Sequence, residues 1–222
     1  QSDTVKVYVA NNPMANFTVN DTAQCSSNQK FVFNSTSKSS IKNSTSLSLY
    51  WDMGDSSFTS KSNPINIYNS SGPRWVTQIA TNKYGCKDTI VKRIMVAPMP
   101  VAEIQLIDSA LCFTGNSFRV SSRSSINLGG GNLDLRWRFE DYNNIKQRWE
   151  SSAATSLNTR KDTAIKAFNL TGYKRAWLTV TSSYGCKDST NNQLHVIQEP
   201  TAQFLASATQ VCLNQNVFSI SD

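Results

Sequence analysis

The residues able to do chemistry are few, and their types and spacing narrow what they can do. Five cysteines, Cys25, Cys86, Cys112, Cys186 and Cys212, stand far apart, with no close pair of the kind a zinc site uses. The single histidine, His195, lies beside Val196 in an alternating segment and reads as a surface or edge residue of a strand. One histidine cannot assemble the converging titratable groups that nucleophilic or acid–base catalysis needs. The chain has no phosphate-binding glycine loop, no H-E-x-x-H and no G-x-S-x-G, and Gly129-Gly130-Gly131 reads as a bare flexible turn. No enzymatic activity and no cofactor are expected. The carboxylate pair Asp52 and Asp55 is the one metal candidate. Two carboxylates fall short of the six to eight oxygens that calcium takes, and Asp in such a place also holds a turn by accepting backbone N–H bonds. The remaining use of the cysteines is disulfide formation, which implies an oxidising, extracellular setting.

What positions these cysteines is a repeat. Pro13 opens P-M-A-N-F, Pro100 opens P-V-A-E-I and Pro200 opens P-T-A-Q-F, and a cysteine follows each proline by 12 residues, at Cys25, Cys112 and Cys212. Beyond each cysteine stand Phe31 and Phe33, Phe118 and Val120, Phe218 and Ile220, the period-2 pattern of a strand with one buried face. Tyr84-Gly85-Cys86-Lys87-Asp88 recurs as Tyr184-Gly185-Cys186-Lys187-Asp188, and Val7 and Val9, Ile94 and Val96, Leu194 and Val196 close each unit. The expected organisation is 1–10 as the end of a preceding domain, 13–97 and 100–197 as whole domains, and 200–222 as the start of a further one. Only a few residues, Pro98 and Pro100 among them, separate the domains, which predicts a semi-rigid array.

Composition agrees with exposed antiparallel sheets: 39% hydrophobic residues in short alternating runs, with abundant Ser, Thr and Asn. No apolar run is long enough to span a membrane, and no export signal opens the sequence, so neither insertion nor a leader is expected in this segment. A net charge of +7 would attract polyanions, but the charges are scattered and read as a solubilising surface, with nucleic acid not expected as a partner.

The centre of the first unit, Tyr50-Trp51-Asp52-Met53-Gly54-Asp55 followed by Asn63-Pro64, Tyr68, Gly72 and a strand ending at Tyr84-Gly85-Cys86, resembles the PKD (polycystic kidney disease) domain. The second unit keeps Trp137 and Asp141 in Trp137-Arg138-Phe139-Glu140-Asp141 but loses the glycine and the first Asp. It is 14 residues longer between its tryptophan and its second cysteine, which predicts an elongated hairpin or loop within 142–166. The resemblance implies all-β, tandem immunoglobulin-like sandwiches of seven strands in an elongated array, with Trp51 and Trp137 buried and their indole N–H groups partnered. Strands are expected near 14–20, 29–36, 46–53, 57–67, 74–82 and 88–97, with equivalents in the second unit. The cysteine-bearing variety is similar to repeats of giant surface adhesins of gliding, type IX-secreting bacteria.

Two disulfide schemes follow. One pairs Cys25 with Cys86 and Cys112 with Cys186 inside each domain, leaving Cys212 alone. In an immunoglobulin-like sandwich, however, the two cysteines of one domain lie at opposite ends, too far apart to bond. The other scheme therefore joins Cys25 to Cys186 across the junction and gives Cys86, Cys112 and Cys212 partners beyond this segment. Six of the eleven Asp residues are followed by Ser or Thr and then by Ala, Val, Ile or Thr, a pattern similar to the O-glycan acceptor of the same bacterial group, implying sugar on Thr4, Thr22, Thr89, Ser109, Thr163 and Ser189. The competing explanation is that strand starts favour Asp-Thr. The resulting expectation is a structural or adhesive surface stalk or extracellular filament whose partners are neighbouring repeats, surface glycans or other cell-surface proteins. The alternative is an accessory or carbohydrate-binding module of a secreted hydrolase, for which Trp75, Trp149 and Trp177 are the aromatic candidates.

Overall fold

In the computed structural model the described residues are 9–41, 46–127, 131–151 and 162–203, with positions 205, 206, 214, 220 and 221 beyond. They contain no α-helix. The first unit has eight strands: β1 (Phe17–Val19), β2 (Ala23–Cys25), β3 (Phe31–Ser35), β4 (Ser48–Asp52), β5 (Phe58–Thr59), β6 (Ile65–Asn66), β7 (Gly72–Thr81) and β8 (Lys87–Ala97). They form a three-stranded sheet β1-β3-β6 and a five-stranded sheet β2-β8-β7-β4-β5. All pairings are antiparallel except β2 with β8, which is parallel.

The two sheets face each other because each strand buries alternate residues. Phe17, Phe31, Phe33, Trp51, Val76, Ile94 and Val96 are all essentially inaccessible and form one core. Phe17 meets the Trp51 ring edge-on at 5.0 Å between centroids, and Phe31 meets Tyr68 in the same way at 5.6 Å. Burying a side chain the size of Trp51 removes about 150–250 Å² from water, worth roughly 4–6 kcal/mol of transfer free energy. The Trp51 indole N–H donates to the Lys61 carbonyl at 2.9 Å.

The second unit repeats this plan with β9 (Pro100–Val101), β10 (Ile104–Leu106), β11 (Ala110–Cys112), β12 (Phe118–Ser122), β13 (Ser125–Ile126), β14 (Asp134–Asn143), β15 (Arg148–Ser151), β16 (Thr163–Lys166), β17 (Gly172–Thr181) and β18 (Lys187–Ile197). Its sheets are β10-β12-β16 and β11-β18-β17-β14-β15, with β9 paired to β13. Trp137, Phe139, Phe118, Leu178 and Val196 are core residues. Trp137 Nε1 is buried without a hydrogen-bond partner among the described residues, unlike Trp51. A final pair, β19 (Leu205–Ala206) with β20 (Ile220–Ser221), belongs to the third repeat.

The described residues are thus all-β and built of two-sheet sandwiches of the immunoglobulin-like kind expected, but with eight strands in the first unit rather than seven. Two strands are additional to the six expected spans, and one is β2, which the alternation missed because its three residues are all half-buried. The strand expected over 57–67 is instead two, β5 in one sheet and β6 in the other. The break falls before Asn63-Pro64, where proline has no N–H to give to a ladder. Ile220, expected in a core, is 70% exposed because no element among the described residues packs over it. Val9 is likewise 92% exposed and outside any strand.

The elongated hairpin of the second unit follows from one substitution. Gly54 has φ +75°, and a Cβ there would meet the Trp75 carbonyl oxygen at 2.6 Å, so only glycine permits the turn that ends β4 at Asp52. Glu140 stands at the equivalent place and stays in the ladder, so β14 runs on to Asn143 and folds back as β15. The remainder of the expected insertion, 152–161, lies outside the described residues.

Candidate functional site: a disulfide across the junction

Each long β-hairpin presents a cysteine at its tip for a local reason. After β7, Asn82 Oδ1 accepts the N–H groups of Tyr84 and Cys86, and Gly85 takes φ +83° to close the turn. After β17, Ser182 Oγ accepts the Cys186 N–H and Gly185 takes φ +81°. The Asp of each Lys-Asp pair then ties the hairpin to the start of its own unit. Asp88 Oδ2 accepts the Ala15 N–H at 2.7 Å, and Asp188 Oδ2 accepts the Ala102 N–H at 2.8 Å. The recurrence of P-x-A and of Y-G-C-K-D is thereby explained as two halves of one contact.

The other cysteine of each unit ends the short parallel strand. Cys25 is in register with Ala97 at the end of β8, and the Ser26 N–H donates to the Ala97 carbonyl at 2.8 Å. Cys25 therefore sits where the chain leaves the first sandwich, and the tip of the second sandwich's hairpin meets it there. Cys25 and Cys186 are disulfide-bonded, with Cα atoms 5.6 Å apart and 161 residues between them in sequence. Cys186 is 1% exposed. The connecting residues Ala97, Pro98 and Pro100 are buried, and Ser27 Oγ donates to Met99 Sδ at 3.3 Å. The connector is packed between the units rather than spanning open solvent.

The intradomain scheme does not form: Cys86 is a free thiol, half-buried, and Cys112 is a free thiol, exposed. Cys86 lies at the start of β8 and Cys25 beside its end, so an 11-residue strand, about 35 Å long at about 3.3 Å per residue, separates them. Cys212 lies outside the described residues.

Asp52 and Asp55 are engaged in the turn. Asp52 Oδ1 accepts the Gly54 N–H at 2.8 Å; Asp55 Oδ1 accepts the Ser57 N–H, and its Oδ2 accepts Asn66 Nδ2 at 2.9 Å. Partial burial pushes the Asp55 carboxyl up, but the hydrogen bonds from Ser57 and Asn66 outweigh it and hold the group below the ordinary aspartate range. Among the described residues no three His, Cys, Asp or Glu side chains come together as a metal-binding group. Asp141 pairs at 2.8 Å with Lys174, a buried lysine whose ammonium also lies 5.6 Å from the Phe168 ring. His195 is half-exposed and stacks on Tyr173 at 4.5 Å between rings.

Of the O-glycan candidates, Thr22, Thr89, Ser109, Thr163 and Ser189 are exposed, and Thr4 lies outside the described residues. Asp21, which precedes Thr22, accepts the Ala23 N–H at 3.2 Å, so together with Asp88 and Asp188 three of the six Asp residues have a structural reason of their own.

The tryptophans differ by sheet. Trp75 is 59% exposed on the outer face of the first unit, where Tyr50 and Phe58, also exposed, stack at 5.9 Å. Trp149 and Trp177 are covered: Arg175 lies 3.8 Å over Trp149 and 5.7 Å from Trp177, and Arg138 lies 5.3 Å over Trp177. Glu140 holds this ladder, accepting Trp177 Nε1 at 2.8 Å and pairing with Arg138 at 3.0 Å. Sequence reading missed the ladder; the alternation Arg136-Trp137-Arg138 was the available signal, since it places both arginines on the outer face.

No protein-family model matches the chain, and no curated protein matches it either. Among solved structures it is similar to the PKD1 domain of Vibrio anguillarum Epp, with 20% identity, TM-score 0.34, and coverage of 40% of this chain and 96% of that one. It is similar to the PKD1 domain of the Vibrio cholerae metalloprotease PrtV, with 26% identity, TM-score 0.33, and coverage of 38% and 96%. A structure from a 1.5-MDa bacterial ice-binding adhesin aligns over 86% of this chain and 67% of its own, at 8% identity and TM-score 0.45. These are likenesses of fold.

Proposed function

We propose that this chain is a non-enzymatic, force-bearing repeat segment of a large secreted or cell-surface protein, a stalk that carries adhesive parts away from the cell. One observation carries the reading: the Cys25–Cys186 bond joins two successive sandwiches across a connector that is itself buried. With two covalent connections at one junction, bending or pulling has to deform folded sandwiches instead of a free tether. A disulfide also requires an oxidising compartment, which fits an extracellular site. The gliding-adhesin context and type IX export remain what the resemblance of the repeats implies.

The test is the junction's stiffness. Small-angle X-ray scattering of the intact protein should give one narrow distribution of interdomain distances, and the Cys25→Ser, Cys186→Ser double variant a broader one with both sandwiches still folded. Identical distributions would remove the basis of the stalk reading. A second reading, glycan binding by the outer sheet of the first unit, is favoured by the open aromatics Tyr50, Phe58 and Trp75. Binding to a panel of neutral oligosaccharides that is lost in Trp75→Ala would support it; no binding anywhere on the panel would reject it.

A further inference from the structure

The repeat makes the outer sheet faces of the two sandwiches comparable position by position. Trp51 in β4 is in register with Gln78 of β7, and Trp137 in β14 with Leu178 of β17. Tyr50, Asp52 and Trp75 of the first unit therefore answer to Arg136, Arg138 and Arg175 of the second, and Val91 answers to Asn191. These positions alternate with core residues, Trp51, Val76 and Ile94 in one unit and Trp137, Ala176 and Leu194 in the other, so they point to solvent. The repeats keep their core and change the class of what faces outward: two aromatics and an acid become three arginines.

Charges scattered along the sequence are gathered here. Arg136 and Arg138 stand two residues apart on β14, about 7 Å, with side chains 65% and 51% exposed. Arg175 lies on the neighbouring β17, and Lys187, exposed, on β18 beyond it. Among the described residues the same face offers two carboxylates: Asp134, 3.7 Å from Arg136, and Glu140, 3.0 Å from Arg138 and 3.7 Å from Arg175. Two positive charges are left in surplus. Glu140 is 8% exposed and also accepts the Trp177 indole N–H, so it steadies the guanidiniums while offering little carboxylate surface of its own. An open concavity of about 490 Å³ lies between Arg136, Arg138, Trp177 and Lys187, and its lining adds the hydroxyls of Thr179 and Ser189.

We propose that this face of the second sandwich binds an acidic glycan, a polysaccharide that carries carboxylates. Arg136, Arg138 and Lys187 meet the carboxylates, and the Thr179 and Ser189 hydroxyls meet those of the sugar. The planar fork of a guanidinium matches a carboxylate with two parallel hydrogen bonds, and arginines already held in place lose less freedom on binding. Charge alone would also admit a nucleic acid, but single strands bind by stacking bases on open aromatic rings. The rings here are taken: Trp149 and Trp177 lie under arginines, and Tyr173 stacks on His195. The site goes beyond the stalk reading by giving the segment a ligand of its own. It differs from the open aromatics of the first unit in face, residues and charge.

The experiment is calorimetric titration of the full chain with an oligogalacturonate, at low and at moderate salt, with dextran as the neutral polymer and a single-stranded oligothymidylate as the other polyanion. Arg136→Gln with Arg138→Gln should weaken oligogalacturonate binding by about tenfold or more and flatten its dependence on salt. Both side chains are exposed, so the fold is kept, which circular dichroism checks. Lys87→Gln with Arg93→Gln takes the same charge from exposed positions on the outer face of the first sandwich and should change the affinity by less than about twofold. Dextran should not bind. Absence of oligogalacturonate binding, or an equal loss in the two double variants, would overturn the proposal. So would oligothymidylate binding that is as tight and is lost with Arg136 and Arg138. The scattering test of the stalk and the Trp75→Ala test of the first unit read other residues, so each reading stands or falls separately.

Discussion

Removing the Cys25–Cys186 bond should do more than weaken the protein: it should uncouple the two sandwiches. In the chain-entropy description, a cross-link closing n residues costs the unfolded chain about 2.1 + 1.5R ln n cal/mol/K. With 161 residues between the cysteines, unfolding of both sandwiches is opposed by about 5 kcal/mol. Unfolding only the first closes the roughly 75 residues from Cys25 to Pro100 against the folded second unit, and unfolding only the second closes the roughly 90 from Ala97 to Cys186. Each of these steps is opposed by about 4.5 kcal/mol. The two separate penalties therefore exceed the joint one by about 4 kcal/mol. Once one sandwich opens, the bond hardly protects the other. The bonded protein should unfold in urea as one transition with a slope approaching that of both units together. Cys25→Ser, in a background with Cys86, Cys112 and Cys212 also changed to Ser, should unfold at lower urea, in two steps reported separately by a Trp51-containing and a Trp137-containing probe. Coincident transitions with an unchanged midpoint in the variant would refute the reasoning.

Gly54→Ala should destabilise the first sandwich by about 2–3 kcal/mol, because a left-handed residue gains a Cβ facing a backbone oxygen; chemical denaturation compared with an Ala at Gly85, where nothing lies within 4 Å, isolates the contact. Burial, opposed only in part by its hydrogen bond with Asn66 and the nearby Arg74, pushes the Tyr68 hydroxyl up to about 12. Its folded value is raised, so this stabilisation is complete below the ordinary tyrosine range and is lost as pH rises from about 10 to about 12; an ultraviolet titration should show one tyrosine ionising late, and Tyr68→Phe should flatten the loss. Asp88→Ala should cost the first sandwich about 1–3 kcal/mol by leaving the Ala15 N–H unpaired, read as a lower urea midpoint.

The fold was legible wherever the burial pattern had period 2 and enough length to show it. Phe31 and Phe33, Trp51 and the strands through Ile94 and Val96 advertised their buried faces in this way. The short strand β2 did not, since Ala23, Gln24 and Cys25 are equally half-buried and no alternation exists to be read. The exchange of sheets between β5 and β6 was also hidden. Asn63-Pro64 signals a break, but which sheet the chain joins afterwards depends on the Phe33 N–H reaching the Pro64 carbonyl, a contact 31 residues away in sequence.

The cysteines were legible only through the fold: their spacing is identical under both pairing schemes and parity favours the intradomain one, while the opposite ends of an immunoglobulin-like sandwich pointed to the Cys25–Cys186 bond that the structure has. What separates the schemes in the structure is the end of β8 against which β2 lies. β2 pairs with Met95, Val96 and Ala97, the last residues of β8, whereas Cys86 precedes Lys87 at the other end of that strand. That register holds Cys25 at the Ala97 end, about 35 Å from Cys86, where the hairpin tip within reach among the described residues belongs to the following unit. A parallel pairing three residues long leaves almost no trace in composition, yet it decides whether the sandwiches are stapled singly or to each other. Because Cys86 lies about 35 Å from this junction, Cys25→Ser should leave Cys186 a free thiol within the monomer, and peptide mapping that found a Cys86–Cys186 bond in that monomeric variant would refute the placement.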